Sequence, residues 1–171
     1  VVNLVVELFP NIYHAQIFLL NESRTYAVLR ASTGDVGIRL LERGHRLEVG
    51  SVSVIGQVTE VGRTVITRET VGSDVHRRNE FLPDTRAELA IPLRMGDSII
   101  GALDVQSKLN DSFDEAQVGI LQTMSDQITV AIENTRLYQD SMRQLAELRS
   151  TNQEMTGRTW REFLNYQRER E

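Results

Sequence analysis

Residues 86–107, RAELAIPLRMGDSIIGALDVQS, contain two apolar segments separated by the turn residues Met95 to Ser98. Both segments are rich in Leu, Ile, Val and Ala, and the Gly-Asp pair between them is typical of a tight turn. Pro92 lacks a backbone N–H, so it belongs at a bulge or where its position faces away from a neighbouring strand. The stretch therefore predicts two antiparallel strands joined as a hairpin.

Similar patterns predict further helices and strands in the rest of the chain. Residues 54–61 have apolar side chains at helical spacing, with Ser53 as a plausible N-cap and Gly62 as a plausible stop. Further strands are predicted at residues 14–20, 25–32, 46–49 and 64–67, and further helices at residues 1–9 and from about residue 114 onward. The glycines within residues 34–50 predict a loop region around the short strand there. Hairpins with interleaved helices indicate an α+β fold with an antiparallel sheet.

The last third of the chain carries a heptad stripe, in which apolar residues alternate by three and four positions. Its members are Leu121, Met124, Ile128, Ala131, Thr135, Tyr138, Met142 and Leu145. The stripe continues imperfectly through Leu148, Asn152 and Met155, which predicts a register shift after Leu145. An isolated amphipathic helix is marginal in water, so we expect the segment beyond residue 137 to pair with a second copy as a coiled coil.

Composition excludes several classes of function. The net charge of −5 and a pI near 5.3 argue against nucleic acid as a partner, because phosphate binding needs clustered positive charge. The chain has no cysteine, which fits a cytoplasmic location and excludes thiol nucleophiles and zinc–cysteine sites. No apolar run is long enough to cross a membrane. The first residue is Val and not Met, so we expect a fragment of a longer protein.

The ordered set of motifs resembles the GAF domain family. The residues that carry the resemblance are QIFLL (16–20), SVIG (53–56), AELAIPL (87–93), IGALDVQS (100–107), FDE (113–115) and AIENTRLY (131–138). The resemblance implies a profilin-like, GAF/PAS-like six-stranded antiparallel sheet flanked by helices, with a pocket on one side and a long C-terminal coiled-coil helix. It also implies a sensory domain over residues 1–138 and a signalling helix over residues 139–171. Family members form parallel homodimers, and a bacterial histidine kinase of a two-component system, a cyclase or a similar output domain follows them.

Candidate ligand-binding residues lie where the resemblance places the pocket. A polar segment that would form the pocket roof could bind an anionic ligand through Asp74, His76, Arg77 and Arg78 together, although a solvated loop is the simpler interpretation. Glu88 lies within an apolar strand and would need a partner if it points inward; Arg86 and Arg68 are candidates. A structural salt bridge is the alternative to ligand contact. The histidines show no metal-ligand spacing, so we expect neither a metal nor a cofactor.

The same resemblance narrows the range of ligands that we expect the domain to bind. The Asn-Lys, Phe and Asp-Glu pattern of cyclic-nucleotide-binding members is absent, since Lys108 precedes Asn110 and Asp114 directly follows Phe113. Members that link a bilin, and the methionine-sulfoxide reductases of the family, use a cysteine that this chain lacks. We therefore expect a sensory module that binds a small molecule non-covalently or relays a conformational signal through its dimeric helix, and that is not an enzyme. The alternative is a ligand-free dimerisation spacer.

Overall fold

The structure is a computed structural model that describes residues 1–68 and 81–168, with side chains described up to residue 156. Contacts divide the chain into two units, Val1–Val130 and Ala131–Glu171. The first unit contains a six-stranded sheet with helices, and the second contains the remainder of one long helix.

The helices and strands alternate along the first unit. The helices are α1 (Val2–Leu8), α2 (Gly34–Glu42), α3 (Val54–Val61) and α4 (Glu115–Arg168), the last of which continues through the second unit. The strands are β1 (Ile12–Leu20), β2 (Tyr26–Ser32), β3 (Arg46–Glu48), β4 (Val65–Arg68), β5 (Ala87–Met95) and β6 (Ser98–Ser107). The order in the sheet is β3-β2-β1-β6-β5-β4, and each adjacent pair is antiparallel. This confirms the predicted α+β fold with a six-stranded antiparallel sheet and a long C-terminal helix.

The β5–β6 hairpin lies inside the sheet, with β1 and β4 on its outer sides. Side chains alternate between the two faces of a strand, so the paired residues Ala90 and Asp104 share a face, as do Glu88 and Gln106. Because β4 pairs only with residues 87–90, Pro92 faces no partner on that side and costs no ladder hydrogen bond.

Helix α3 forms as its sequence predicts. The Ser53 hydroxyl accepts from the backbone N–H of Gly56, and Gly62 ends the helix in a left-handed conformation, with φ of 69°. The buried side of α3, including Ile55 and Val58, packs in a cluster with Phe18 of β1 and Leu40 of α2. The main core on this face of the sheet is therefore built from α2, α3 and the central strands.

The loop predicted for the start of residues 34–50 is wrong, because Gly34–Glu42 forms α2. Gly37 permits close packing between α2 and β2 and does not mark a loop. A Cβ at this position would lie 2.6 Å from the Ser32 hydroxyl and 2.7 Å from the Ser32 carbonyl carbon. Glycine thus allows α2 to approach β2, while Leu40 on the same helix is buried.

The first part of α4 belongs to the first unit. Its predicted stripe residues Leu121 and Ile128 are buried there, and Met124 is half-buried. The N-terminus of α4 is fixed by Asn11, whose side-chain amide donates to the Ser112 carbonyl and contacts the Gln117 amide. These contacts hold the start of α4 against the chain between α1 and β1.

In the second unit the stripe residues are exposed along the helix. The exposed fractions are 67% for Tyr138, 51% for Met142, 47% for Leu145 and 67% for Leu148. Among the described helices, none combines the length and the apolar character needed to cross a membrane.

Candidate functional site

A cavity of about 630 Å³ opens on the α3 face of the sheet. Its apolar lining comes from the core cluster and from the segment that leads into β5. These residues are Phe18, Leu47, Val54, Ile55, Phe81 and Leu82. The volume lies in the range of cavities that take small molecules, which is about 300–1,000 Å³.

The floor of the cavity is polar because strand alternation and register bring polar side chains of four strands to one face. Glu88 of β5 pairs with Thr67 of β4 on one side and with Gln106 of β6 on the other. Asp104, two residues before Gln106, pairs with Gln16 of β1. All five residues line the cavity.

Two carboxyl groups meet on this floor. Asp104 is only 1% exposed, and its side chain is hydrogen-bonded to that of Glu88. Burial raises the pKa of Asp104, and burial together with the Asp104 carboxyl group raises the pKa of Glu88 well above its usual value. Two adjacent buried carboxylates repel each other, so the pair holds a shared proton at a pH where an exposed carboxyl group has lost it.

Asp104 has a second polar neighbour besides Glu88, the side chain of Gln106. Its Oδ2 accepts a hydrogen bond of 2.9 Å from the Gln106 amide, and the Gln106 carbonyl accepts one of 2.7 Å from the Thr85 hydroxyl. Asp104 Oδ1 and Thr67 Oγ1 are buried and have no hydrogen-bond partner within the described part of the chain. Leaving a buried polar atom without a partner costs about 1–3 kcal/mol, so a new hydrogen bond to either atom would stabilise the fold.

Two histidines lie beside the floor. Gln16 Nε2 donates to His14 Nε2 at 2.8 Å, which leaves the proton of the neutral ring on Nδ1, where Thr33 Oγ1 accepts it at 3.1 Å. Burial lowers the pKa of His14 to about 4. His45 lines the cavity with its ring 6.1 Å from that of Phe18, and burial lowers its pKa as well. Both rings are therefore neutral at neutral pH.

Of the ligand-binding residues predicted from the sequence, only one lies in the described lining of this cavity. Glu88 lines the cavity, and one of the groups beside it is a second acid, Asp104. Arg86 is exposed just before β5 and is not part of the cavity lining described here. Asp74 and His76 lie outside the described residues.

Sequence reasoning missed most of the polar floor. Asp104 carries the same signal as Glu88, an acid in the middle of an apolar strand, and Gln106 follows it at the spacing that keeps both on one face. Gln16 is likewise a polar residue within an apolar strand. His45 carries no such signal, because it reaches the cavity only through the placement of β3. No group of His, Cys, Asp or Glu among the described side chains could hold a metal ion.

Solved structures of GAF domains share this architecture. The GAF domain from an Acinetobacter phosphoenolpyruvate-protein phosphotransferase has a TM-score of 0.65 and 22% identity, over 81% of each chain. The GAF domain of the Coxiella burnetii phosphoenolpyruvate-protein phosphotransferase has a TM-score of 0.69 and 20% identity, over 80% of each chain. At these identities the likeness shows a shared fold. None of the curated proteins is significantly similar to the chain.

The expectation that the chain is not an enzyme is corrected by a third similar structure. The free methionine-R-sulfoxide reductase from Neisseria meningitidis, in complex with its substrate, has a TM-score of 0.65 and 22% identity, over 80% of this chain and 75% of that chain. An enzyme is thus built on the same fold, so the fold does not support excluding catalysis. The lack of cysteine excludes a thiol nucleophile but no other chemistry, so it was too weak a basis for that exclusion.

A comparison with family models agrees with the structural likeness. The model described as a GAF domain matches residues 1–133, which include the whole sheet and the start of α4. The chain belongs to the GAF domain family.

Proposed function

We propose that this GAF domain is a sensory module that binds a small molecule non-covalently in the cavity above Glu88 and Asp104. The observation that carries the proposal is the pair of buried polar atoms without a described partner, Asp104 Oδ1 and Thr67 Oγ1, on the floor of a cavity of about 630 Å³. A ligand that hydrogen-bonds to these atoms would remove their desolvation cost. GAF domains are in general regulatory or sensory modules, which supports a signalling role.

A spacer without a ligand is the alternative. A spacer gains stability from a cavity filled by its own apolar side chains, because empty volume costs packing energy. Polar side chains from four strands instead converge on this cavity, and one of them, Asp104, is almost completely buried. This arrangement favours a binding site over a spacer.

The contacts around Ser107 suggest how ligand binding in the cavity could change the position of α4. Ser107 follows Gln106 in β6, and its hydroxyl donates to the Asn11 carbonyl and accepts from the Ser112 hydroxyl. Asn11 in turn contacts Gln117 in the first turns of α4. A shift of the β6 end would therefore move groups that fix the start of the helix.

We further propose that the exposed stripe of the second unit pairs with a second copy in a parallel homodimer. Apolar side chains that repeat at heptad spacing bury themselves when two such helices coil together. The helix would transmit the state of the cavity to a covalently attached output domain, such as a histidine kinase, in the cytoplasm. Residues 1–138 would act as the sensor and residues 139–171 as the transmitter.

Two measurements test the proposal. In a thermal-shift panel of metabolites and nucleotides, at least one compound should raise the melting temperature of the wild-type chain and raise that of Asp104→Asn much less. Sedimentation velocity should show a dimer that Leu145→Glu dissociates and that Gln144→Glu, the matched control off the stripe, leaves intact. A panel with no stabilising compound would remove the ligand-binding proposal, and a monomeric wild type would remove the dimer.

A further inference from the structure

We propose that the paired helices of the homodimer alternate between two packings, which share Tyr138, Leu145 and Asn152 at their centre and differ by a rotation of each helix of about 60°. In the Met142 packing, Met142 lies in the seam between the helices. In the Leu148 packing, Leu148 lies there instead. The inference rests on the proposed homodimer and adds the change of state by which α4 transmits a signal.

The first step is the arrangement of side chains around the helix. Met142, Leu145 and Leu148 are all exposed on a continuous part of α4. Each residue of an α-helix advances by about 100°, so Met142 and Leu148, three positions to either side of Leu145, flank it by about 60° in opposite directions. Tyr138 and Asn152, seven positions from Leu145, lie within about 20° of it. The exposed face is therefore centred on Leu145 and has two flanks.

The second step is charge, which explains why a second copy suits this face. Acidic residues recur every seven positions, and arginines lie between the first three of them. The members are Glu133, Arg136, Asp140, Arg143, Glu147 and Glu154. By the same helical geometry, all six lie about 120° or more away from Leu145. Two identical helices can therefore lie parallel along this face without bringing these like charges together, and the Asn152 side chains of the two copies can hydrogen-bond across the seam.

The third step is that neither packing suits the whole helix. In the Met142 packing, the next seam position after Leu145 is occupied by Arg149, whose long stem can cover apolar surface while its guanidinium reaches water. In the Leu148 packing, the seam position before Leu145 is occupied by Ser141. Each packing thus gains one apolar side chain and places one polar side chain in the seam. Two packings balanced in this way differ little in free energy, so a small bias from the sensor unit shifts their populations.

A single packing is the alternative. Met142, Leu145 and Leu148 follow one another at intervals of three, and a coiled coil that overwinds locally can keep all three in one seam. The two explanations differ in how the flanks respond to each other. Met142 and Leu148 compete for the seam if there are two packings, and they occupy it together if there is one.

Disulfide crosslinking distinguishes the two explanations. The chain has no cysteine, so a single cysteine placed in the full chain reports only on its own position in the dimer. Under oxidation by copper–phenanthroline, Leu145→Cys should crosslink fastest, and Met142→Cys and Leu148→Cys should both crosslink. Arg143→Cys, on the charged side of the helix, should not. The rates are read from non-reducing gels, and the ratio of the rate at position 142 to that at position 148 measures the balance between the packings.

Two substitutions shift this balance without weakening the dimer, because each adds apolar surface to one packing. Arg149→Leu favours the Met142 packing and should raise the ratio by about threefold or more. Ser141→Leu favours the Leu148 packing and should lower the ratio by about threefold or more. Arg143→Leu, the matched control, should leave the ratio unchanged.

The outcomes separate this inference from the proposed function. A ratio that neither Arg149→Leu nor Ser141→Leu changes would overturn the two packings and leave the dimer in place. The absence of crosslinking in Leu145→Cys, together with a monomer in sedimentation velocity, would remove the dimer and this inference with it.

Discussion

The substitution Asp104→Asn should change how the stability of the domain depends on pH. Asn keeps the size and the hydrogen bond of the side chain but cannot ionise. In the wild type, burial raises the pKa of Asp104 from 3.8 to about 6. The folded chain therefore binds this proton more tightly than the unfolded chain, and the free energy of unfolding falls as pH rises from the unfolded pKa through the folded pKa.

The magnitude follows from the size of this shift. A shift of about two pKa units at 1.36 kcal/mol each corresponds to about 3 kcal/mol once the group is fully ionised. Roughly half of this stabilisation, about 1–2 kcal/mol, is lost between about pH 5 and pH 8, and the rest is lost below pH 5. His14 acts in the opposite direction over the same range, because its lowered pKa makes the folded chain less stable as pH falls. The quantity to follow is therefore the difference between the variant and the wild type.

Urea unfolding followed by circular dichroism, at a fixed protein concentration and at several pH values, measures this difference. The stability of Asp104→Asn relative to the wild type should increase by about 1–2 kcal/mol from about pH 5 to pH 8. Asp97→Asn, at an exposed turn, should show no such trend. A difference that stays constant with pH, or that changes in the opposite direction, would refute the assignment of a shared proton to the carboxyl pair.

Three further predictions concern other parts of the fold. Gly37→Ala should lower the free energy of unfolding by about 1–3 kcal/mol because its Cβ would meet Ser32, whereas Gly119→Ala, with nothing within 4 Å, should raise it by up to about 1 kcal/mol in the same urea titrations. Ser53→Ala should cost about 1 kcal/mol through loss of the α3 N-cap, and Ser53→Asp should restore most of it. Because of His14, the free energy of unfolding of the wild type should fall by about 2 kcal/mol between about pH 7 and pH 5, and His14→Gln should abolish this part of the decrease. If the free energy of unfolding of the variant depends on pH as that of the wild type does, His14 is not buried in its neutral form.

The sheet and most helices could be predicted because their signals are local. The Gly-Asp turn between β5 and β6, the Ser53 cap and the Gly62 stop each act within a few residues of the element that they define. Helix α2 was missed because a glycine can mark either a loop or a close approach, and the sequence does not show which. Only the position of Ser32 on the neighbouring strand reveals that Gly37 is a packing residue.

The candidate site was predicted in part, for a different physical reason. An acid within an apolar strand is visible in the sequence, which identified Glu88, and the same reasoning applied to Asp104 would have found its partner. That the two carboxyl groups touch depends on the register between β5 and β6, which is a property of the paired strands and not of either segment. The roles of Gln16 and His45 depend on contacts across the sheet, which no local pattern encodes.

The account depends most on Asp104 being a ligand-binding group, and one measurement tests this directly. The dissociation constant of the most stabilising compound of the metabolite panel is measured by calorimetry for the wild type and for Asp104→Asn. Loss of a hydrogen bond to a charged group costs about 1.5–3 kcal/mol, so the account predicts that the constant increases about tenfold or more. An unchanged constant in a folded Asp104→Asn variant would contradict it.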